Sequence, residues 1–260
     1  MKEVNSRQKE LIRKIKDFRL LDDDFMSKVF EDNNECTELL LHIILHNKEL
    51  QVKETHVQYG IKNLSGRSIR LDIYAVDKSG KKYNIEVQRA DKGATAQRAR
   101  YNSSLIDANT LLPGDDFSDL PDTYIIFITE KDVIGEHKPI YHVDRVIRET
   151  GKNFGDGTHI LFVNGEHRDD TPLGRLMHDF SCKNPNDMYY KVLADKTRYY
   201  KEDEKGVQTM CKLMEDLIDD EKKEIALKML KDGKLNEKEI AKYFNLSKEQ
   251  IEELLRAHTI

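Results

Sequence analysis

The sequence predicts an α+β fold: a mixed sheet of about five strands flanked by helices, followed by a helical C-terminal extension. Alternation of apolar and polar residues, typical of strands, begins at Val52 and recurs in three successive runs up to residue 89. Helical spacing of apolar residues precedes these runs and returns after them. Strand signals stop after Pro172, so we expect one domain over residues 1–170 and a helical region over residues 171–260.

Three helices are predicted ahead of the strands. Residues 9–20 (KELIRKIKDFRL) place apolar side chains at helical spacing among Lys and Arg. The segment DDDFMSKVF offers Asp24 as the N-cap of a short second helix. Residues 36–46 (CTELLLHIILH) predict a mostly buried helix, which is the first core helix.

The sheet is predicted from three alternating runs and three later segments. The runs VKETHVQYGIKN, SIRLDIYAVD and KKYNIEVQR predict three antiparallel strands. The stretch 93–109 returns to helix, and TYIIFIT at 123–129 is typical of a strand covered on both faces. Further strands are expected at 139–144 and 159–163.

Composition excludes several classes of protein. The 260 residues contain 43 Lys and Arg against 48 Asp and Glu, for a net charge of −5, and no apolar run approaches the length of a membrane span. We therefore expect a soluble cytoplasmic protein without a membrane partner. The three cysteines are odd in number and far apart, which fits reduced thiols. Because the protein is mildly acidic, any nucleic acid must bind through a local basic patch.

The hairpin predicted over residues 70–88 carries an acid on each strand. Asp72 and Glu86 share one face when the connection has an odd number of residues. Three residues around Gly80 would place Asp72 opposite Gln88 and diagonal to Glu86. The odd connection also gathers the apolar residues of both strands on the opposite face: Leu71, Ile73, Ile85 and Val87.

Two carboxylates side by side in a sheet are unfavourable, because like charge and desolvation both oppose their ionisation. A cation would remove this cost. Oxygen ligands of this kind suit Mg²⁺ or Mn²⁺, which can polarise a phosphodiester and lower the pKa of a bound water. The alternative is that both acids lie on the solvent face of an edge hairpin.

The order of these features resembles the core of the PD-(D/E)XK nuclease superfamily. The shared pattern is a helix with an acid, a hairpin with Asp and, about a dozen residues later, Glu-x-Lys or Glu-x-Gln, then a helix and a strand. The segments FEDNNECTELLLHIILH, RLDIYAVDKSGKKYNIEVQR and QRARY resemble the Rpn group, which are recombination-promoting nucleases of the PD-(D/E)XK transposase kind. The likeness covers roughly residues 22–165. It implies a restriction-endonuclease-like core and a Mg²⁺- or Mn²⁺-dependent DNA endonuclease.

The resemblance also implies roles for residues of the hairpin. Asp72 and Glu86 match the group's metal-binding acids, and the carbonyl of Val87 would complete the protein ligands. Gln88 matches the group but departs from the superfamily's lysine. A neutral amide can orient the attacking water by hydrogen bonding, but it cannot deprotonate it or offset phosphate charge. Low intrinsic turnover therefore stays open.

Residues of two helices complete the implied site. For the helix acid we carry over Glu38, which immediately precedes Leu39-Leu40-Leu41, and Glu35 is its competitor. A structural role at the helix N-terminus explains such an acid equally well. Arg98 and Tyr101 lie about one helical turn apart, so both can reach the same strand of DNA, Arg98 at a phosphate and Tyr101 by stacking or hydrogen bonding.

The tail carries one recognisable pattern, LNEKEIAKYFNLSKEQIEELLR at 235–256, which resembles a helix-turn-helix. Its second helix bears three acids, which oppose contact with phosphate, so packing or homo-oligomerisation through the C-terminal helices is favoured over DNA reading. Two alternatives to the endonuclease stay open. One is a catalytically weak nuclease-like module that binds DNA or protein, and the other is a helical regulatory adaptor.

Overall fold

A computed structural model describes residues 6–89, 93–233 and 235–256. The chain forms two compact units, one over Lys16–Lys201 and the other combining Met1–Ile15 with Glu202–Ile260. The helices are α1 (Ser6–Asp17), α2 (Asp23–Phe30), α3 (Asn34–Ile44), α4 (Ala96–Ala108), α5 (Pro172–Ser181), α6 (Lys191–Glu202), α7 (Glu204–Asp232), α8 (Glu237–Phe244) and α9 (Lys248–Arg256). The strands are β1 (Val52–Ile61), β2 (Ile69–Asp77), β3 (Lys82–Gln88), β4 (Thr123–Thr129), β5 (Ile140–Val143), β6 (Val146–Ile147), β7 (Lys152–Asn153) and β8 (Thr158–Asn164). The division into residues 1–170 and 171–260 stays a prediction.

The main sheet is mixed and has six strands in the order β1-β2-β3-β4-β8-β5. The first three strands form an antiparallel meander, β3, β4 and β8 run parallel, and β5 pairs antiparallel with β8. The predicted α+β class and the antiparallel pairing of 70–77 with 81–89 are confirmed.

The central strands of the sheet are buried on both faces, as the sequence predicts for β4. Helix α4 packs its apolar stripe onto one face, where Ala99 and Ile106 join a core with Phe127 and Phe162. The four apolar residues of the predicted hairpin patch are buried as well: Leu71, Ile73, Ile85 and Val87. Burial on both faces explains why β4 is a continuous apolar run rather than an alternating one.

Helix α2 begins earlier than the sequence predicts. Its N-cap is Asp22, not Asp24, and the Asp22 side chain makes no capping hydrogen bond. That carboxylate is engaged elsewhere, because Oδ2 accepts from the backbone amide of Arg19 at 2.7 Å and Oδ1 pairs with Arg89 at 2.6 Å. The acidic run therefore ties α2 to the end of β3.

The C-terminal region is helical, as predicted. Asn236 and Glu239 form a reciprocal capping box at the start of α8. Ser247 and Gln250 exchange equivalent hydrogen bonds ahead of α9. Within the described ranges, each helix is too short or too polar to cross a membrane.

Lys201 is a buried cation that joins distant parts of the sheet-containing unit. It is 4% exposed. Its Nζ donates to the carbonyls of Lys16 at 3.1 Å, Phe18 at 2.5 Å and Lys183 at 2.5 Å. The ammonium also lies 5.2 Å from the centroid of the Phe25 ring. Three backbone acceptors thus share one donor group.

Replacing this ammonium should destabilise the protein. Lys201→Met keeps an unbranched stem of similar size but leaves three carbonyls without their donor, so we expect a loss of about 2–3 kcal/mol in the free energy of unfolding. Urea denaturation measures it. Lys196→Met, at an exposed position of the same helix, should change stability by less than about 0.5 kcal/mol. Equal losses in the two variants would contradict a structural role for the buried ammonium.

Candidate active site

The β2–β3 hairpin places the two acids directly opposite each other. Its connection is odd, as predicted, but its centre is Ser79 rather than Gly80, since Asp77 and Lys81 flank it. The register pairs Ile73 with Ile85, and its continuation by one residue brings Asp72 opposite Glu86 instead of Gln88. The predicted diagonal arrangement was therefore wrong by one residue pair, whereas the shared face is confirmed.

The Asp72 side chain takes part in the hairpin's own hydrogen bonding. Its Oδ2 accepts from the backbone amide of Val87 at 2.9 Å. The regular β2–β3 pairing ends at Ile73 and Ile85, so this contact replaces the next ladder bond. The carboxylate is thereby fixed beside Glu86 at the point where the two strands separate.

Helix α4 supplies the groups that contact Glu86. Thr95 caps the helix by accepting from the Arg98 amide at 3.1 Å. Arg98 and Asn102 lie four residues apart and therefore project from the same side of the helix. The Arg98 guanidinium forms an ion pair with Glu86 Oε2, and Asn102 Nδ2 donates to Glu86 Oε1 at 3.4 Å. Asn102 was not identified as a site residue from the sequence, although its position one helical turn after Arg98 could have indicated it.

Both carboxyl groups have raised pKa values. Glu86 is fully buried, and burial, followed by the charge of Asp72, raises its pKa to about 7. Burial likewise raises the pKa of Asp72 to about 6, and the neighbouring charge of Asp23 adds to this. The positive charge of Arg98 lowers both pKa values but does not offset the burial. Arg98 therefore compensates only part of the unfavourable ionisation of the two carboxyl groups.

Gln88 lies beside Arg98 because a glycine lets it approach. A Cβ added to Gly93 would stand 2.0 Å from Gln88 Oε1, which no side chain could tolerate without displacing the amide. The guanidinium of Arg98 also contacts this segment, since its Nη1 donates to the Gly93 carbonyl at 3.4 Å. The structure therefore brings together Asp72, Glu86, Gln88 and Arg98.

Glu38 does not join this cluster. Its Oε2 accepts from the backbone amide of Val52 at 2.8 Å. Val52 pairs with Asp77, which lies five residues along β2 from Asp72, or about 16 Å at the usual rise per residue. Glu35, its competitor, is exposed in the first turn of α3. The helix acid whose charge reaches Asp72 is Asp23, at the start of α2.

A groove of about 970 Å³ opens beside Asp72 and is rich in arginine. Its basic lining residues are Arg67, Arg70, Arg98 and Arg100. Three of these, Arg67, Arg70 and Arg100, are exposed and form no ion pair with any residue that the structure describes. Although the net charge is −5, the positive charge is concentrated next to the paired acids. We call this feature the arginine groove.

Tyr101 stands at the rim of the arginine groove with a defined hydroxyl position. The hydroxyl donates to the carbonyl of Arg67 at 2.5 Å and accepts from Asn63 Nδ2 at 3.2 Å. The ring remains 37% exposed. The tyrosine therefore braces the β1–β2 loop against α4 while one part of its ring faces solvent.

The donor set of the acid pair fits a hard divalent cation. Mg²⁺ typically uses one or two protein carboxylates and completes its coordination with water and substrate phosphate. Asp72 and Glu86 are adjacent and deficient in positive charge, which satisfies this requirement. No group of three or more His, Cys, Asp or Glu residues within the described ranges is arranged to hold a metal.

Comparison with known proteins places these features in a family. The family model described as PD-(D/E)XK nuclease family transposase matches residues 24–171, which is more than half of the chain. The chain belongs to this family. The matched residues contain the whole main sheet, α4 and the paired acids, and membership gives the protein a role of the nuclease or transposase type, with DNA as the implied substrate. Nucleases of the PD-(D/E)XK kind generally use divalent metals. No curated protein and no solved structure matches the chain.

The acid pair should lower the stability of the metal-free protein. Asp72→Asn keeps an acceptor for the Val87 amide but removes one of two like charges, so we expect it to raise the free energy of unfolding at pH 8 by about 1–3 kcal/mol. Thermal or urea unfolding in EDTA measures this. Asp119→Asn, at an exposed position, is the matched control and should have no effect. A destabilised Asp72→Asn protein would show that the carboxylate charge is favourable where it stands.

Proposed function

We propose that the protein is a metal-dependent DNA endonuclease of the transposase type, in which Asp72, Glu86 and the carbonyl of Val87 hold Mg²⁺ or Mn²⁺. The observation that carries this proposal is the position of two adjacent carboxylates, the buried Glu86 and the half-buried Asp72, at the edge of the arginine groove. A polyanion bound in the groove would bring a phosphodiester next to the acids. When bound, the divalent ion would polarise that phosphodiester and lower the pKa of a water molecule.

Arg98 has a different partner before and after substrate binds. In the protein alone its guanidinium neutralises part of the charge of Glu86. Once the acids hold a cation, this need disappears, and the guanidinium is free to contact a phosphate in the groove it already lines. The side chain is 34% exposed, so only its outer part must move.

Gln88 acts by hydrogen bonding alone. Its amide lies against Gly93, next to Arg98, where it can orient a water or a phosphate oxygen. Because an amide has no basic site, it cannot take the proton of the attacking water. We therefore propose a slower enzyme than one with lysine at this position.

The remaining sequence-based assignments stay predictions. Glu38 as a catalytic acid gains no support from its contact with Val52, which is that of a residue anchoring the start of β1. Action in the cytoplasm and self-association through the C-terminal helices are likewise untested. Tyr101 keeps its proposed place at the substrate, with its ring rather than its engaged hydroxyl as the contacting group.

A second candidate function is a nuclease-like module that binds DNA or protein with little turnover. Two observations favour it: Gln88 is neutral, and Arg98 already supplies a counter-charge to Glu86 without a metal ion. The arginine groove would serve this function equally well. Cleavage measured beside binding separates the two candidates.

Removing either acid should abolish cleavage without unfolding the protein. We expect Asp72→Asn and Glu86→Gln to lose nicking of supercoiled plasmid in Mg²⁺ or Mn²⁺ by at least about a hundredfold, because each removes a proposed ligand. The measurement is gel analysis of plasmid forms over time, with Asp119→Asn as the control that keeps activity. Nicking that persists in EDTA, or in the double variant, would exclude the metal mechanism. Binding without nicking in the unaltered protein would favour the second candidate.

Arginines of the groove should contribute separately to DNA binding. For Arg70→Ala and Arg100→Ala, whose side chains are exposed in the groove, we expect weaker binding of duplex DNA and a salt-dependence slope about one unit smaller, as for a single lost phosphate contact. Fluorescence anisotropy at increasing salt, in EDTA, measures the slope. Arg148→Ala, at an exposed position outside the groove lining, should leave it unchanged. If the unaltered protein, the groove variants and Arg148→Ala all gave the same slope, the DNA would have to bind at another surface.

A further inference from the structure

The loop between β1 and β2, residues 62–68, presents a leucine to water. Leu64 is 99% exposed. The loop around it is nevertheless ordered by Asn63. The side-chain Oδ1 of Asn63 accepts from the Ser65 backbone amide at 3.0 Å, and the backbone amide of Asn63 donates to Ser68 Oγ at 3.1 Å. An apolar side chain is thus held out on a loop with its own internal hydrogen bonds.

The loop is also braced from outside. Tyr101 of α4 donates to the carbonyl of Arg67 and accepts from Asn63. These two contacts lie on either side of Leu64 in the chain, so the leucine cannot easily fold back onto the protein. Single exposed apolar residues are common on protein surfaces, but this one lies on a loop whose backbone is held by hydrogen bonds on both sides of it.

The surroundings of Leu64 suit a polyanion with an apolar interior. Lys62 and Arg67 flank it in the loop, and both are exposed. Arg67 and Ser68 line the arginine groove together with Asp72. A duplex lying in that groove would offer phosphates to the cations and stacked bases to the leucine, which is the combination that DNA-bending proteins use when they insert an apolar side chain between base pairs.

We propose that Leu64 is a wedge that inserts between base pairs of duplex DNA and makes the protein prefer DNA that is easily unstacked. This inference rests on the proposed DNA-binding function and names its substrate class: duplexes with a mismatch or a flexible pyrimidine–purine step near the site of cleavage.

The test uses full-length protein in EDTA, which prevents metal-dependent cleavage, and duplexes with 2-aminopurine at successive positions beside a mismatch. Binding should raise the fluorescence several-fold at one position, where the base loses its stacking. Leu64→Ala should remove this increase and weaken binding to the mismatched duplex about tenfold. Its salt-dependence slope should not change, because leucine contacts no phosphate. Leu64→Met should retain the increase.

The control is Leu112→Ala, which truncates another exposed leucine, 72% accessible, outside the lining of the arginine groove. It should bind and fluoresce like the unaltered protein. If Leu64→Ala binds as tightly as the control with the same fluorescence profile, while Arg70→Ala is still weakened, the wedge is overturned and the DNA-binding proposal stands. Absence of duplex binding by the unaltered protein would overturn both. Equal weakening of Leu64→Ala on single-stranded and duplex DNA would also contradict the wedge.

Discussion

The side chain of Asp77 sets the register of the β2–β3 hairpin, and the position of both paired acids depends on that register. Asp77 Oδ1 accepts from the amides of Ser79 at 2.8 Å and Lys81 at 3.0 Å, and Oδ2 accepts from the Tyr83 hydroxyl at 2.8 Å. Because its donors lie within the turn and on the β3 side of it, this carboxylate holds a three-residue connection. Gly80, at a φ of 89°, adopts the left-handed conformation that this turn requires. A different loop length by one residue would send Asp72 and Glu86 to opposite faces.

The acids that the hairpin brings together are unfavourable to the fold. Burial raises the pKa of each carboxyl group, so the ionisation of both costs free energy. Two apolar side chains at the same positions would carry no such cost. Three partners limit this cost: the Val87 amide, Asn102 and Arg98. Asn84, on the same face of β3, adds little. Its carboxamide is buried without a hydrogen-bond partner in the described structure, although it lies close enough to lower the pKa of Glu86. Such local cost is common where a fold carries a functional site.

The sequence was sufficient for features that follow from periodicity and insufficient for those that depend on long-range packing. Alternation in the hairpin predicted that Asp72 and Glu86 share a face, because the neighbouring pair Ile73 and Ile85 is buried on the other face. The centre of the turn was misplaced by one residue, because a glycine marks a three-residue connection without stating which position it occupies. The helix acid could not be chosen, since sequence does not reveal which helix end faces the hairpin. Glu38 contacts the start of β1, whereas Asp23 affects Asp72.

Helix α4 links the two parts of the candidate site because its sides carry different chemistry. Ala99 and Asn102 face the sheet and are buried, while Arg100 and Tyr101 line the arginine groove. Arg98 lies at the boundary, in contact with Glu86 and yet part of the groove lining. A charge placed on the acids or in the groove therefore acts on the same guanidinium. A cation held by the acids would release Arg98 from Glu86, and a phosphate in the groove would give the released guanidinium a new partner. Binding of the cation and binding of the phosphate would therefore favour one another. This reciprocity follows from the position of one side chain and requires no movement of the sheet.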